Sequence, residues 1–198
     1  MEDTRHAYSV QSERYIDLFG ATDRVHAADL ALIERHLSHR EGAVLDAGCG
    51  PGHLTEHLCA LGVNASGIDL VPEFVEHAAA TNPSGRHLIG SIAELPVADR
   101  SIAAILAWYS LIHLPPDDLS DVLDDFRRAT VTGGVLVAGF FDGDEIAAFD
   151  HKVMTAWFWP VDEFSARLDA AGFTEVERHQ RPAADGHRRH ASIVAIAA

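Results

Sequence analysis

The chain has 198 residues, 47% of them hydrophobic, and a formal net charge of −15 at pH 7. This length and apolar content predict one globular domain, residues 1–198, with a full hydrophobic core. The acidic surplus, with Lys152 as the only lysine, argues against a nucleic-acid partner, because phosphate contacts come mainly from Lys and Arg.

The cysteines and the hydropathy pattern indicate the cellular setting. Cys49 and Cys59 form neither a C-x-x-C pair nor a disulfide framework. The first residues are polar and charged, and no apolar run approaches the roughly 18 residues of a membrane-spanning helix. We therefore expect a cytoplasmic protein with no membrane partner, as a monomer or a homodimer.

The first predicted elements are helical. Leu30, Ile33 and Leu37 recur at helical spacing and form one apolar stripe before the first strand. We expect residues 1–40 to form an N-terminal helical cap.

The most informative segment is residues 44–52, which read VLDAGCGPG. A short apolar run at 43–47 predicts a buried strand, the glycines allow a tight turn close to a ligand, and an apolar-periodic helix follows. The next predicted strand, 64–69, ends at Asp69, at the distance at which the acidic residue of dinucleotide folds binds a ribose. The segment therefore predicts a nucleotide-type binding turn.

The charge in this turn bears on the ligand. Asp46 stands two residues before Gly48, where a carboxylate would repel a pyrophosphate and attract an ammonium group. His53 occupies the position of the third glycine of the dinucleotide fingerprint, and the chain has no G-x-x-x-x-G-K-[ST] loop. These features disfavour a dinucleotide and exclude a P-loop.

Strand and helix patterns alternate along the rest of the chain, which is typical of a parallel sheet covered on both faces. Further strands are predicted at 86–90, 102–107 and 133–140. Helices are predicted around Leu119–Phe126 and from Val161 to Ala171. The runs 173–179 and 190–197 are joined by a short polar turn at 184–186, so they must pair as an antiparallel hairpin.

At the glycine turn the chain resembles the class I S-adenosylmethionine (SAM)-dependent methyltransferases, whose motif (V/I)LD-x-G-x-G-x-G is matched by residues 44–52. The resemblance covers about residues 42–198. It implies an α/β, Rossmann-like three-layer sandwich with a mostly parallel seven-stranded sheet and a C-terminal antiparallel hairpin. It also implies SAM as the cofactor and S-adenosylhomocysteine as its product.

The resemblance assigns cofactor contacts along the chain. Asp46 would hold the methionine ammonium and Asp69 the ribose hydroxyls, while Ser91 and Ile92 would frame the adenine. Backbone contacts would come from the strand ends and the glycine turn, at Ala47, Gly48, Gly50, Gly52, Leu70 and Ala107. Ser91 stands where many relatives have an aspartate, so adenine recognition departs from the family pattern.

Tyr8 and Tyr15 resemble the N-terminal segment that folds over SAM in family members acting on small molecules. The alternative is that both tyrosines only pack this segment onto the domain. Both interpretations stay open at this point.

The chemistry is expected at residues 108–113, because ligands of open α/β sheets bind beyond the carboxyl ends of the strands. His113 is the preferred general base, since an imidazole titrates near neutral pH. Tyr109 is a second catalytic candidate, as a hydrogen-bond donor or a wall of the site. A structural role for His113, capping the turn at Pro115, is the alternative.

A stretch of about 20 residues precedes the Val161 helix, and connections of this length are often lids. Residues 141–160 are therefore a lid candidate. Its apolar residues recur at helical spacing, namely Ile146, Phe149, Val153, Met154 and Trp157. The alternative is the inner face of a covering helix.

Metal binding is not expected. His53 and His57 stand four residues apart, and His187 and His190 lie near the hairpin turn, but neither pair has third and fourth ligands at suitable spacing.

The function predicted from these observations is methyl transfer from SAM to an oxygen or nitrogen of a small molecule. One alternative is a SAM-binding sensor or partner subunit that transfers no methyl group. A second is a nicotinamide-dependent oxidoreductase, which Asp46 and His53 disfavour. A non-methyl reaction on the same fold is a third, because fold does not fix chemistry.

Overall fold

The computed structural model describes residues 2–83, 85–184, 186 and 188–198. Seven α-helices are present in these residues: α1 (Glu2–Val10), α2 (Ser12–Phe19), α3 (Ala27–Leu37), α4 (His53–Ala60), α5 (Pro72–Thr81), α6 (Leu119–Ala129) and α7 (Val161–Ala170). Two short 3-10 helices lie at Thr22–Arg24 and Leu111–His113. Nine strands are present: β1 (Ala43–Ala47), β2 (Ala65–Asp69), β3 (Arg86–Ile89), β4 (Ile102–Trp108), β5 (Thr130–Asp142), β6 (Ala147–Asp150), β7 (Thr155–Trp159), β8 (Phe173–Arg181) and β9 (His190–Ala197).

The strands form one sheet in which β3, β2, β1, β4 and β5 lie side by side in that order and run parallel. β9 pairs antiparallel with β5, and β8 pairs antiparallel with β9. The predicted α/β sheet with a C-terminal hairpin is therefore confirmed. The order reverses between β1 and β4, and ligands of such sheets bind at this switch point.

Side chains alternate between the two faces of the sheet and build two cores. On one face, Val44 and Leu106 pack with α3 and α4; on the other, Leu45 and Ile105 pack with α6 and α7. The helical stripe predicted before the first strand is α3, which covers the sheet instead of joining a cap. Among the described residues up to 40, those that line the ligand edge lie in α1 and α2, at Thr4, Tyr8 and Tyr15.

Residues 141–160 do not form a helix. They form β6 and β7, an antiparallel pair in which Phe149 lies opposite Ala156. β7 pairs parallel with β5 at Phe141 and Asp142. Because Phe141 also pairs with His190 of β9, β7 must lie on the opposite edge of β5, beyond the last residue of β4. The hairpin thus extends the sheet to nine strands.

The helical interpretation of this stretch is wrong for a physical reason. Residues 155–159 read TAWFW, and β-branched and aromatic residues favour strands. β5, with 13 residues, extends past β4 and leaves an open edge there. Pairing with that edge satisfies backbone groups of β7 that a helix would satisfy internally.

Candidate functional site

A pocket of about 720 Å³, including the part open to solvent, lies at the carboxyl ends of β1, β2 and β4. Nine of the residues predicted for the site line it: Tyr8, Tyr15, Gly48, Gly50, Asp69, Leu70, Ile92, Tyr109 and His113. The predicted edge of the sheet is therefore where the structure has its pocket.

The glycine turn brings backbone against the pocket wall. Gly48 and Gly50 have φ angles of +79° and +52°, which favour glycine. A Cβ on Gly48 would lie 2.3 Å from the Cβ of Ser110, whereas a Cβ on Gly50 would meet nothing within 4 Å. Gly48 is thus required by close packing, and Gly50 only by its backbone conformation.

The N–H groups of the turn are already used inside the protein. Gly48 and Cys49 both donate to the Ile68 carbonyl, and Gly52 donates to the Cys49 carbonyl. The N–H of Gly50 donates to Asp69 Oδ2 at 2.8 Å. A phosphate needs such N–H groups to be free, so this turn is not built to cradle one.

Asp69 is the charged group at the end of β2. Its Oδ1 accepts from the Val71 N–H at 2.9 Å and its Oδ2 from the Gly50 N–H. A carboxylate has about four acceptor positions, so each oxygen retains capacity to accept a hydroxyl. Burial raises the pKa of Asp69, and the backbone hydrogen bonds oppose that rise. The geometry suits recognition of a vicinal diol.

Asp46, which was predicted to hold the methionine ammonium, is not among the described residues that line the pocket. It is 2% exposed, and its Oδ2 accepts from Thr55 Oγ1 at 2.7 Å. Strand alternation is the reason: Asp46 points to the same face as Val44, toward α4. Burial raises its pKa to about 7, opposed by the hydrogen bond from Thr55.

Four other predicted cofactor residues also lie outside the lining. Ala47 and Ala107 are fully buried in their strands. Gly52 precedes α4 with a φ of +87°, and a Cβ there would lie 2.5 Å from Ala78, so it serves helix packing. The Ser91 hydroxyl accepts from the Ala93 N–H in a local turn.

Six lining residues were not assigned as site residues from the sequence: Thr4, Val71, Phe74, Trp108, Ser110 and Leu114. Trp108 and Ser110 lie within the 108–113 stretch expected to carry the chemistry. Ser110 Oγ is buried and has no hydrogen-bond partner among the described residues. Thr4 and Phe74 reach the pocket because α1 and α5 pack beside it. No local sequence motif predicts this packing.

The first two helices close one side of the pocket. The Tyr8 ring lies 5.3 Å from the Tyr15 ring and 6.0 Å from the Phe74 ring, both edge-on. Ser9 Oγ donates to Glu73 Oε2 at 2.8 Å, which ties α1 to α5. Burial raises the pKa of Tyr15 to about 12 and that of Tyr8 further. Both tyrosines pack the segment onto the domain, and both face the pocket.

His113 is held from both sides of its ring. Nδ1 lies 2.8 Å from the Thr155 carbonyl of β7, and Nε2 lies 2.7 Å from the Tyr8 hydroxyl. Burial lowers the pKa of His113, although the contact with Thr155 opposes this. The imidazole is therefore neutral at pH 7 and contacts both the cap and the hairpin.

Tyr109 is the other predicted catalytic residue. Its φ of +57° is unusual for a residue other than glycine and indicates strain, which is often found at functional sites. Its hydroxyl is hydrogen-bonded to His190 Nδ1, and its ring lies 5.1 Å from Phe141. Burial raises the pKa of Tyr109, so its hydroxyl stays neutral at pH 7. The residue also forms part of the pocket wall.

The hairpin of β6 and β7 supplies none of the described lining residues and contacts the site through His113. Phe149 stacks on Phe158 at 4.1 Å, and His151 lies 5.7 Å from His113. Burial, and then His113, Arg188 and Lys152, lower the pKa of His151 to about 4. Two cationic side chains near the hairpin lie over aromatic rings: Lys152 over Phe19 at 4.3 Å and Arg188 over Phe149 at 4.5 Å.

Within residues 2–83, 85–184, 186 and 188–198, no group of three or more His, Cys, Asp or Glu side chains is placed to hold a metal ion. His187, which the sequence pairs with His190, lies outside the described residues. In the described part of the chain, no helix is both long and apolar enough to cross a membrane.

Comparisons with known proteins show that the chain is similar to methyltransferases. Residues 44–134 match the family model of a methyltransferase domain. A malonyl-[acyl-carrier protein] O-methyltransferase of Erwinia billingiae is 32% identical over 123 residues, which are 62% of this chain and 47% of that protein. An uncharacterized methyltransferase of Mycobacterium bovis is 36% identical over 141 residues, 69% of this chain and 56% of that protein. The chain thus spans about half the length of these relatives.

Solved structures share the fold. A 1,6-didemethyltoxoflavin-N1-methyltransferase of Burkholderia thailandensis, solved with its substrate and S-adenosylhomocysteine, has a TM-score of 0.82 and 21% identity; the match covers 99% of this chain and 88% of that one. The [4+2]-cyclase SpnF has a TM-score of 0.79 and 16% identity, covering 98% and 95%. The second match illustrates that this fold carries more than one chemistry.

Proposed function

Because the chain belongs to the class I SAM-dependent methyltransferase family, we propose that it binds SAM and transfers a methyl group to an oxygen or nitrogen of an uncharged small molecule. The observation that carries the proposal is the edge formed by the glycine turn and Asp69. The carboxylate keeps acceptor capacity for a diol, and the turn leaves no N–H of Gly48, Cys49, Gly50 or Gly52 for a phosphate.

The residues present fit this cofactor. Asp69 would bind the ribose hydroxyls, Ile92 and Leu70 would border the adenine, and the turn at Gly48 and Gly50 would lie against the methionine part. SAM would supply an electrophilic methyl group. The protein would contribute alignment and the exclusion of water, which is most of what such a displacement requires. The cap of α1 and α2 suits that exclusion.

The charge of the lining favours an uncharged acceptor. None of the described residues that line the pocket is Arg or Lys. Lowered pKa values keep His113 and His151 neutral at pH 7. Burying a carboxylate without a cation is expensive. A neutral N–H or O–H acceptor avoids that penalty.

A second candidate is methylation of a carboxylate carried on a larger partner. The malonyl-[acyl-carrier protein] O-methyltransferases among the relatives favour it. Arg188, exposed above Phe149 at the rim, is the cation that would serve it. In that case the acceptor carboxylate would bind beside Arg188, outside the pocket that the lining residues enclose.

Calorimetric titration tests cofactor binding. S-adenosylhomocysteine and SAM should bind, and NADH should not. Asp69→Ala should weaken binding by about 1–3 kcal/mol, because charge-assisted hydrogen bonds to the ribose are lost. Asp99→Ala, which removes an exposed carboxylate paired with Arg128, is the matched control and should bind normally. A folded protein that binds NADH instead would refute the proposal.

Transfer of tritium from methyl-labelled SAM across a panel of acceptors tests the reaction. The panel should contain neutral N–H heterocycles, phenols and a malonyl thioester. Labelling of the first two classes supports the preferred function, and labelling of the thioester alone supports the second. Cofactor binding without labelling of any member would favour a sensor, a partner subunit or a non-methyl reaction.

A further inference from the structure

The Tyr8 hydroxyl lies between the pocket and His113. Tyr8 lines the pocket and extends from the Phe74 wall, and its hydroxyl reaches His113 Nε2 at 2.7 Å. The two residues are 105 positions apart in the chain. Their contact therefore exists only because α1 folds over the carboxyl edge of the sheet.

The direction of this hydrogen bond follows from the other side of the ring. The Thr155 carbonyl can only accept, so the Nδ1 atom of His113 must carry the proton. In the neutral ring Nε2 then has the lone pair, and the Tyr8 hydroxyl donates to it. His113 therefore cannot contact a methyl acceptor with its basic nitrogen while α1 is in place.

We propose that Tyr8 is the residue that takes the proton of the methyl acceptor and passes its own proton to His113, the terminal base. This inference rests on the proposed methyl transfer. Tyr8 is the catalytic residue that touches the acceptor, His113 acts through it, and the Thr155 carbonyl positions His113 by fixing its tautomer.

The relay balances. The acceptor atom forms its bond to the methyl group, and the sulfur retains the electron pair of the bond that breaks. The proton of the acceptor moves to the Tyr8 oxygen as the proton of Tyr8 moves to His113 Nε2. Tyr8 ends neutral and His113 ends as an imidazolium, which replaces the one positive charge of the sulfonium. The imidazolium later releases its proton to solvent.

The surroundings favour a relay over a tyrosinate. Burial, and then Tyr15 and Asp69, raise the pKa of Tyr8, so it does not ionise on its own. Burial lowers the pKa of His113, so it is unprotonated and ready to accept at pH 7. The other titratable group against His113 is His151 of the hairpin, 5.7 Å away, which the same effect keeps neutral.

The first test needs no acceptor. The protein, labelled with ¹⁵N-histidine and saturated with S-adenosylhomocysteine, is compared by NMR with Tyr8→Phe, and His113→Asn assigns the signals. We expect a protonated Nδ1 and an unprotonated Nε2 at His113. In Tyr8→Phe the Nε2 signal should move downfield, toward that of a nitrogen that accepts no hydrogen bond. The opposite tautomer, or an unmoved signal, would overturn the relay.

The second test uses an acceptor found with the panel. Tyr8→Phe keeps the ring and should lower kcat at least 10-fold, in line with general base catalysis, with little change in cofactor affinity. Wild-type activity should fall as the pH drops below the lowered pKa of His113, and Tyr8→Phe should lose that limb. The double variant Tyr8→Phe/His113→Asn should be no slower than the slower single variant, because the two residues act as one unit.

Ser9→Ala is the control for a purely structural tie. It removes the other α1 hydrogen bond, to Glu73, without touching His113, and should keep the wild-type pH profile. A normal kcat in Tyr8→Phe would overturn the relay. Failure of the wild-type protein to bind S-adenosylhomocysteine would instead refute the proposed function, so the two failures are distinguishable.

Discussion

The two halves of the pocket are held together by different kinds of contact. In the half that we propose binds the cofactor, the cofactor half, Asp69 meets the N–H groups of Gly50 and Val71, which are 19 and 2 residues away in the chain. In the half that we propose binds the acceptor, the acceptor half, side chains meet over long separations: 105 residues between Tyr8 and His113, and 81 between Tyr109 and His190. Backbone geometry set by a local motif builds the first half, and tertiary packing of side chains builds the second.

This difference indicates which half tolerates change. A local backbone site fails when a single glycine or aspartate is altered, whatever surrounds it. A site assembled from distant side chains changes its shape whenever one element shifts. We therefore expect cofactor-half substitutions to affect stability most, and acceptor-half substitutions to affect specificity most.

The largest expected effect is at Asp46, which is buried on β1 just before the glycine turn. Its folded-state pKa of about 7 lies above the ordinary 3.8, so the folded protein binds the proton more tightly than the unfolded chain. Its contribution to stability is present below pH 3.8 and is lost as the pH rises through about 7. Relative to Asp46→Asn, the wild-type protein should lose up to about 4 kcal/mol of unfolding free energy over that range.

Urea unfolding of both proteins at a series of pH values measures this difference. Asp46→Asn is the matched control for the wild-type protein. Its amide oxygen can still accept the hydrogen bond from Thr55, but its side chain does not titrate. Parallel stability curves for the two proteins would show that Asp46 is not buried as described.

The same contrast explains how much the sequence could reveal. The positions of Gly48, Gly50 and Asp69 at the pocket were predictable because they follow from the spacing of one motif. The burial of Asp46 was not predictable, because the motif does not say to which face of β1 its side chain points. The pairing of Tyr8 with His113 had no local signal, since it depends on how α1 docks.

The hairpin was mispredicted for a related reason. The apolar residues of 141–160 match helical spacing, and a short apolar run does not distinguish a helix from a strand. What decides is the edge of β5 left open beyond β4, which is known only once the lengths of both strands are known. The seven other strands were predictable because β1 to β5 alternate with helices and β8 and β9 are joined by a short turn.

The next effect sharpens the comparison within the cofactor half. Gly48→Ala should reduce the free energy of unfolding by about 2–5 kcal/mol, from left-handed strain plus the overlap with Ser110. Gly50→Ala shares the strain but has open space around it, so it should lose only about 1–2 kcal/mol. Chemical denaturation measures the free energy of unfolding of both variants. Equal losses would mean that Ser110 moves away from the new Cβ at little cost.

The smallest effect lies in the acceptor half. Phe149 is partly exposed and stacks on Phe158, so Phe149→Ala should reduce the free energy of unfolding by about 1–2 kcal/mol, below the 3–5 typical of large buried aromatics. Affinity for S-adenosylhomocysteine, measured by calorimetry, should be unchanged, while the KM of a panel acceptor should change. Weakened cofactor binding in this variant would contradict the division into two halves.

The attachment of the β6–β7 hairpin has a consequence for how such proteins diversify. β7 joins the main sheet through two residue pairs, Phe141 with Phe158 and Asp142 with Trp159. The strands that carry the glycine turn and Asp69 make no pairing with it. We therefore expect the hairpin to be exchangeable: a different insert between β5 and α7 should change acceptor choice and leave the proposed nucleoside contacts of Asp69 unchanged.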